Sequence, residues 1–293
     1  MLWKKGRRSD NVVDARDGGG GGGGGMRLGG KGLGIGGVII IVAIGLLTGQ
    51  DPMQILGQLT GQATQAPATT QTRQAPPAND EQADFVRSIL GDTEDTWRAT
   101  FQLNGRQYKD PTLVLFSGQV QSACGYATSA SGPFYCPADQ QVYLDMDFFR
   151  EMSQRFKAAG DFAQAYVIAH EVGHHVQTLL GVSAKVQQAR QSGQRMEGAT
   201  GLLVRQELQA DCLAGVWAFN AQKRLNWLEP GDIEEALNAA NAIGDDRLQQ
   251  QGQGRVVPDS FTHGTSAQRV RWFKTGFAQG QINQCDTFAA KSL

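Results

Sequence analysis

The chain has 293 residues, a formal net charge of -1 and 19% charged residues. That balance gives no bulk electrostatic argument for nucleic acid as a partner, and the length allows one large domain or two small ones. Only four histidines and four cysteines occur, so each can be weighed individually.

In chain order, residues 1–32 read as a basic, Gly-rich cytoplasmic tail. Lys4, Lys5, Arg7, Arg8, Arg16, Arg27 and Lys31 all precede the one strongly apolar run, and Gly18 to Gly25 is low-complexity linker. Residues 33–49 are expected to form a transmembrane anchor. The apolar run, Leu33 to Leu47, is short against the about 17–25 residues of a spanning helix, but Thr48 and Gly49 extend it and a thinned bilayer would accommodate it. A buried core helix is disfavoured because the flanks are Gly-rich on one side and Gln/Thr/Pro-rich on the other. A cleaved signal is the competing reading. Against it stand the long positive region and the lack of a small-x-small exit at Thr48-Gly49-Gln50. With an uncleaved anchor, the Lys/Arg excess places the N-terminus in the cytoplasm and everything after the run outside. Residues 50–80, rich in Gln, Thr, Ala and Pro, read as a flexible tether that cannot bury enough apolar surface to offset its ordering entropy.

Residues 81–293 carry the pattern of a folded domain. A helix starts at Asp84 to Leu90 and continues toward Trp97. Thr112 to Phe116 is a strand by composition, followed by short strands at Phe134-Tyr135 and Gln141 to Leu144. Helices are expected over Asp147 to Phe156, Asp161 to Leu180, residues 203–224, Ile233 to Ile243 and Ser266 to Phe277. The second has Gly181 as its stop signal. A few early strands and later helices make an α+β domain, mainly helical with a small sheet. An even cysteine count in an exported domain reads as two disulfides. Of three possible pairings, Cys124–Cys136 as a local clamp and Cys212–Cys285 as a long-range staple are the ones expected.

His170 and His174 are four residues apart on a helix, so both imidazoles share one face, where they can hold one metal ion. The intervening Glu171 follows the His-Glu-x-x-His pattern, in which the carboxylate serves as general base toward a zinc-activated water. By average composition a chance occurrence in a chain this size is on the order of one per cent or less. The competing reading is a pair of surface histidines, but Ala165 to Ala169 is apolar, and ionisable groups on a buried helix need partners. Gly173 would keep the helix slim where another element passes. A third donor is required, and Glu207 and Asp211 again share one helical face. Glu207 is assigned as metal ligand and Asp211 as the partner that orients His170 through its other ring nitrogen. His175 should face away from the metal. The first candidate for stabilising the oxyanion is His263, in a Gly-containing loop, with Tyr143 or Tyr166 next.

His-Glu-x-x-His followed by Glu-x-x-x-Asp resembles the gluzincin metallopeptidases. By analogy with them, Gln141 to Leu144 would form an edge strand that lays out a peptide. Arg7 to Asn11, Ser122 to Gly125, Gly132 to Pro137, Val142 to Asp145, Arg205 to Cys212 and Phe261 to Ser266, with the metal helix, are similar more closely to the bacterial neutral zinc metallopeptidases (YpfJ-type). The resemblance covers most of the chain. It implies a zincin-like fold, Zn2+ as cofactor and peptide-bond hydrolysis on a protein or peptide substrate, and with the apolar run the expected enzyme is membrane-anchored. The expected placement is a single-pass protein of the bacterial inner membrane with a periplasmic catalytic domain. The alternative is a zinc-stabilised, non-catalytic binding or assembly module at the membrane.

Overall fold

The computed structural model describes residues 1–16, 74–128, 131–155 and 160–293. The expected anchor at 33–49, the Gly-rich stretch from 17 to 32 and residues 50–73 of the tether lie outside the described residues. None of the described helices is long and apolar enough to cross a membrane.

A four-stranded sheet has the order β1 (Val12–Asp14), β2 (Thr112–Phe116), β6 (Gln141–Asp145), β5 (Phe134–Cys136). β1, β2 and β6 run parallel, and β5 is antiparallel to β6. The hairpin of β3 (Gln119–Ser122) and β4 (Gly125–Thr128) stands as a separate two-stranded sheet. The helices are α1 (Glu81–Leu103), α2 (Met146–Arg155), α3 (Asp161–Leu180), α4 (Val182–Gln191), α5 (Leu202–Leu225), α6 (Asp232–Ala242), α7 (Asp245–Gln253) and α8 (Ser266–Gln279). This is the expected mainly helical α+β domain with small sheets.

β6 is interior, so the expectation that Gln141 to Leu144 forms the edge is corrected. Val142 to Asp145 are buried without alternation, and β2 and β5 each pair with the strand. The edge strand is β5.

α3 is buried along most of its length through Phe162, Ala165, Tyr166, Ala169, Val172 and Val176, which recur at helical spacing. Its first turn is completed from outside: Glu235 Oε2 on α6 accepts the Phe162 N–H at 3.1 Å. Gly181 ends it in the left-handed conformation, φ 82°, which only glycine adopts without strain. α5 crosses α3 at Gly173, where a Cβ would lie 3.0 Å from the Ala210 carbonyl oxygen. α8 crosses α5 still more closely, since a Cβ on Gly276 would overlap the Cys212 carbonyl. Both expected disulfides are formed, Cys124–Cys136 and Cys212–Cys285. The second ties α5 to the C-terminal segment.

The division of the chain at residue 32 is corrected. Residues 1–16 are no tail apart from the domain but part of one compact unit with the residues from 74 on. The physical reason is that the arginines of this stretch are paired with carboxylates of the domain. Arg8 meets Asp84 at 2.7 Å, Arg16 meets Asp80 at 2.6 Å, and Val12, Val13 and Asp14 add a strand to β2. The boundary at residue 80 also shifts. The Gln74 carbonyl accepts from the Asp14 N–H at 2.8 Å, and Asp80 caps α1 by accepting the Ala83 N–H at 2.9 Å.

Candidate metal centre

α3 presents His170 and His174 one turn apart, and α5 presents Glu207 opposite them. His170 Nε2 lies 3.2 Å from Glu207 Oε2, and His174 Nε2 lies 3.5 Å from the same oxygen. All three donors lie within 4.8 Å of one another. Both histidines use Nδ1 elsewhere: His170 Nδ1 donates to Asp211 Oδ1 at 2.8 Å, and His174 Nδ1 to Gln177 Oε1 at 2.9 Å. Those bonds leave both Nε2 lone pairs aimed at one point beside a carboxylate. This donor set suits a divalent zinc ion, which takes imidazole nitrogen and carboxylate oxygen and keeps a position open in catalytic sites.

Gln177 is itself fixed, its amide donating to the Gln206 carbonyl at 2.7 Å and to Gln209 Oε1 at 3.0 Å. Asp211 is wholly buried and accepts three bonds besides the one from His170. Tyr166 OH donates to it at 2.5 Å, and Arg269 Nε and Nη2 each donate at 2.9 Å. Burial works against its charge, but Arg269 and then His170 outweigh it and hold the carboxyl at about 2. Asp211 therefore stays ionised and orients His170. Burial likewise opposes the charge on Glu207, and the two histidines hold its carboxyl well below the usual range. Glu171 lies in the same cleft, and burial raises its carboxyl above the ordinary value.

The cleft has a volume of about 710 Å³. His263 lines it with the metal-binding set. Asp245, the first residue of α7, positions that loop: its Oδ2 accepts the N–H groups of Thr262, His263 and Gly264 at 2.7, 2.6 and 3.0 Å, and its Oδ1 lies 3.2 Å from His263 Nδ1. Of the other oxyanion candidates, Tyr143 does not reach the cleft. It bonds Asp139 at 2.8 Å and stacks on Phe134. Tyr166 lines the cleft, but its hydroxyl is engaged by Asp211 and Arg269. His175 faces away from the metal donors, as expected: Nε2 donates to the Lys109 carbonyl at 2.6 Å, which leaves Nδ1 to accept from Tyr135 OH at 3.1 Å.

Sequence reasoning missed Arg269, Asp245, Gln177 and Tyr135. Arg269 sits on the expected Ser266 to Phe277 helix, but nothing local distinguishes it from a solvated arginine. Asp245 follows Gly244 as a helix-start signal, which was available, though its loop partner lies 18 residues on.

The chain matches the family described as "Putative neutral zinc metallopeptidase" over residues 1–288. It is 52% identical over 292 residues to the protein YpfJ of Escherichia coli (strain K12), covering 98% of this chain and 99% of that one. It is 50% identical over 196 residues to the protein Rv2575 of Mycobacterium tuberculosis (strain ATCC 25618 / H37Rv), covering 64% of this chain and 65% of the relative. No solved structure matches. With its His-Glu-x-x-His helix and its carboxylate donor on the neighbouring helix, the chain belongs to the neutral zinc metallopeptidase family, whose cofactor is zinc.

Proposed function

We propose that the protein is a zinc-dependent endopeptidase in which His170, His174 and Glu207 hold the metal and Glu171 is the general base. The observation that carries this reading is the convergence of two Nε2 atoms and one Glu207 oxygen beside a buried glutamate, in a cleft with space for a chain. Zinc, when bound, supplies Lewis acidity and lowers the pKa of a water ligand toward ~7. Glu171, with its carboxyl raised by burial, is the residue that would accept a proton from the attacking water and return it to the leaving amine. His263, held by Asp245, donates toward the oxygen of the attacked carbonyl. β5 is the sheet edge beside the cleft, and its Phe134 and Tyr135 line it. Its free main-chain groups can pair with an extended peptide, so an unfolded or extended segment is the substrate form that fits.

The competing reading, a structural zinc in a binding module, requires a closed four-ligand site. At this site three metal-type donors converge among the described residues, and they face a cleft. The test is Glu171→Gln in the full chain, with cleavage of unfolded protein as the readout. Loss of roughly 10²–10⁴-fold is expected for removal of a general base, with zinc content and melting temperature close to wild type. Retained cleavage would overturn the assignment of Glu171.

A further inference from the structure

The basic residues from Lys4 to Arg16 are built into the same body as the metal helix. Glu94 on α1 is wholly buried. The groups that neutralise it come mainly from the arm: Arg7 Nη2 at 2.6 Å, Ser9 Oγ at 2.6 Å and Asn11 Nδ2 at 2.8 Å, with Arg98 more distant at 3.7 Å. Without the arm, α1 would carry a buried carboxylate with little to pair it, which is strongly unfavourable. The backbone approach is equally specific. Gly91 lacks a Cβ at the point where the Arg7 carbonyl oxygen would stand 2.6 Å from it, and Gly6 passes against Trp227 and Ser88. In the sheet, the Leu113 N–H donates to the Asn11 carbonyl at 2.9 Å and the Ala15 N–H to the Leu115 carbonyl at 2.8 Å.

We infer that residues 1–16 lie on the same side of any membrane as the cleft of His170, His174 and Glu207. The face formed by α1 and the β2 edge is an interface for this chain's own N-terminal arm. Strand pairing and buried charge-assisted bonds form only between segments that meet, and a hydrocarbon layer between them offers no partner for their polar groups. Of the Lys/Arg excess that argues for a cytoplasmic arm, the three described arginines are engaged: Arg7 with Glu94 and Asp95, Arg8 with Asp84, Arg16 with Asp14 and Asp80. An arrangement with the arm in the cytoplasm and the domain outside would break each of these contacts. The chain that joins Arg16 to Gln74 starts and ends on one side, whatever its route.

The test uses the full chain in bacterial cells with Asp10→Cys and Leu103→Cys made singly. The parent side chain of the first is 95% exposed and the second residue 87%. The four native cysteines are paired, so background labelling is low. A membrane-impermeant maleimide is applied to spheroplasts before and after permeabilisation. Both sites should fall in the same class, labelled before or labelled only after. Labelling of one before and of the other only after overturns the inference. The double variant Asp10→Cys with Arg87→Cys, whose parent side chains approach to 3.4 Å, should give an intramolecular cross-link with a short bismaleimide in the same cells. Single labelling of both cysteines without a cross-link would overturn it even if the sides agree.

Discussion

Asp211 and Glu207 set the protonation state of the histidines they face. In the metal-free site, burial disfavours a charge on His170, but Asp211 and Glu207 outweigh it and push its pKa from 6.5 up to about 10. His174 is raised too, against burial, by Glu207. The folded value is raised, so this protonation stabilises the metal-free fold fully below pH 6.5 and its contribution is lost as pH rises through about 10. Metal loading needs both Nε2 lone pairs, so near neutral pH it must expel protons, and zinc affinity should rise with pH across that window. Calorimetric titration in buffers of different ionisation enthalpy should give buffer-dependent heats, and equal heats would contradict the assignment. Tyr135 is a second residue-scale case. Its hydroxyl donates to His175 and ties the edge strand to α3. Tyr135→Phe should lower kcat/KM about threefold to tenfold, chiefly through KM, with zinc content unchanged, as expected for one lost hydrogen bond. Steady-state kinetics on an extended peptide checks it, and an effect confined to kcat would contradict it. The ligand pair was legible because spacing of four on a helix fixes a shared face. Arg269 and Tyr135 were not, because their roles arise only where α8 and β5 approach α3.

Between elements, the site depends on how closely helices cross. Gly276 on α8 faces the Cys212 carbonyl of α5, and Gly215 on α5 faces the Phe273 carbonyl of α8. That contact brings Arg269 onto Asp211. Gly276→Ala should destabilise the fold by about 1–3 kcal/mol, the usual range for overpacking, and also weaken zinc binding by displacing Arg269. Thermal unfolding with and without zinc checks this, and an unchanged midpoint would contradict it. The long helices were readable from apolar periodicity and from stop signals such as Gly181, and β2 from its composition. α7 (DDRLQQQGQ) and α4 (VSAKVQQARQ) were not, because their sequences carry almost no apolar stripe. β1 was missed for a different reason. Three residues inside a basic, Gly-flanked stretch give no strand signal, and only β2 and Glu94 supply the partners that order them.

Across the whole molecule, the order of strands early and helices late was legible, and both disulfides follow the pairing expected among the three that four cysteines allow. The membership of residues 1–16 in the domain was not, because it rests on contacts across more than 70 residues of chain, such as Arg8 with Asp84 and Ser9 with Glu94. The account as a whole stands on three side chains from two helices acting as one metal site. Zinc content of the purified full chain, wild type against Glu207→Ala, measures this directly after dialysis against a mild chelator. The expected result is about one zinc per wild-type chain and loss of metal in the variant, with the fold retained by circular dichroism. Equal zinc retention by both proteins, or none in the wild type, would contradict it.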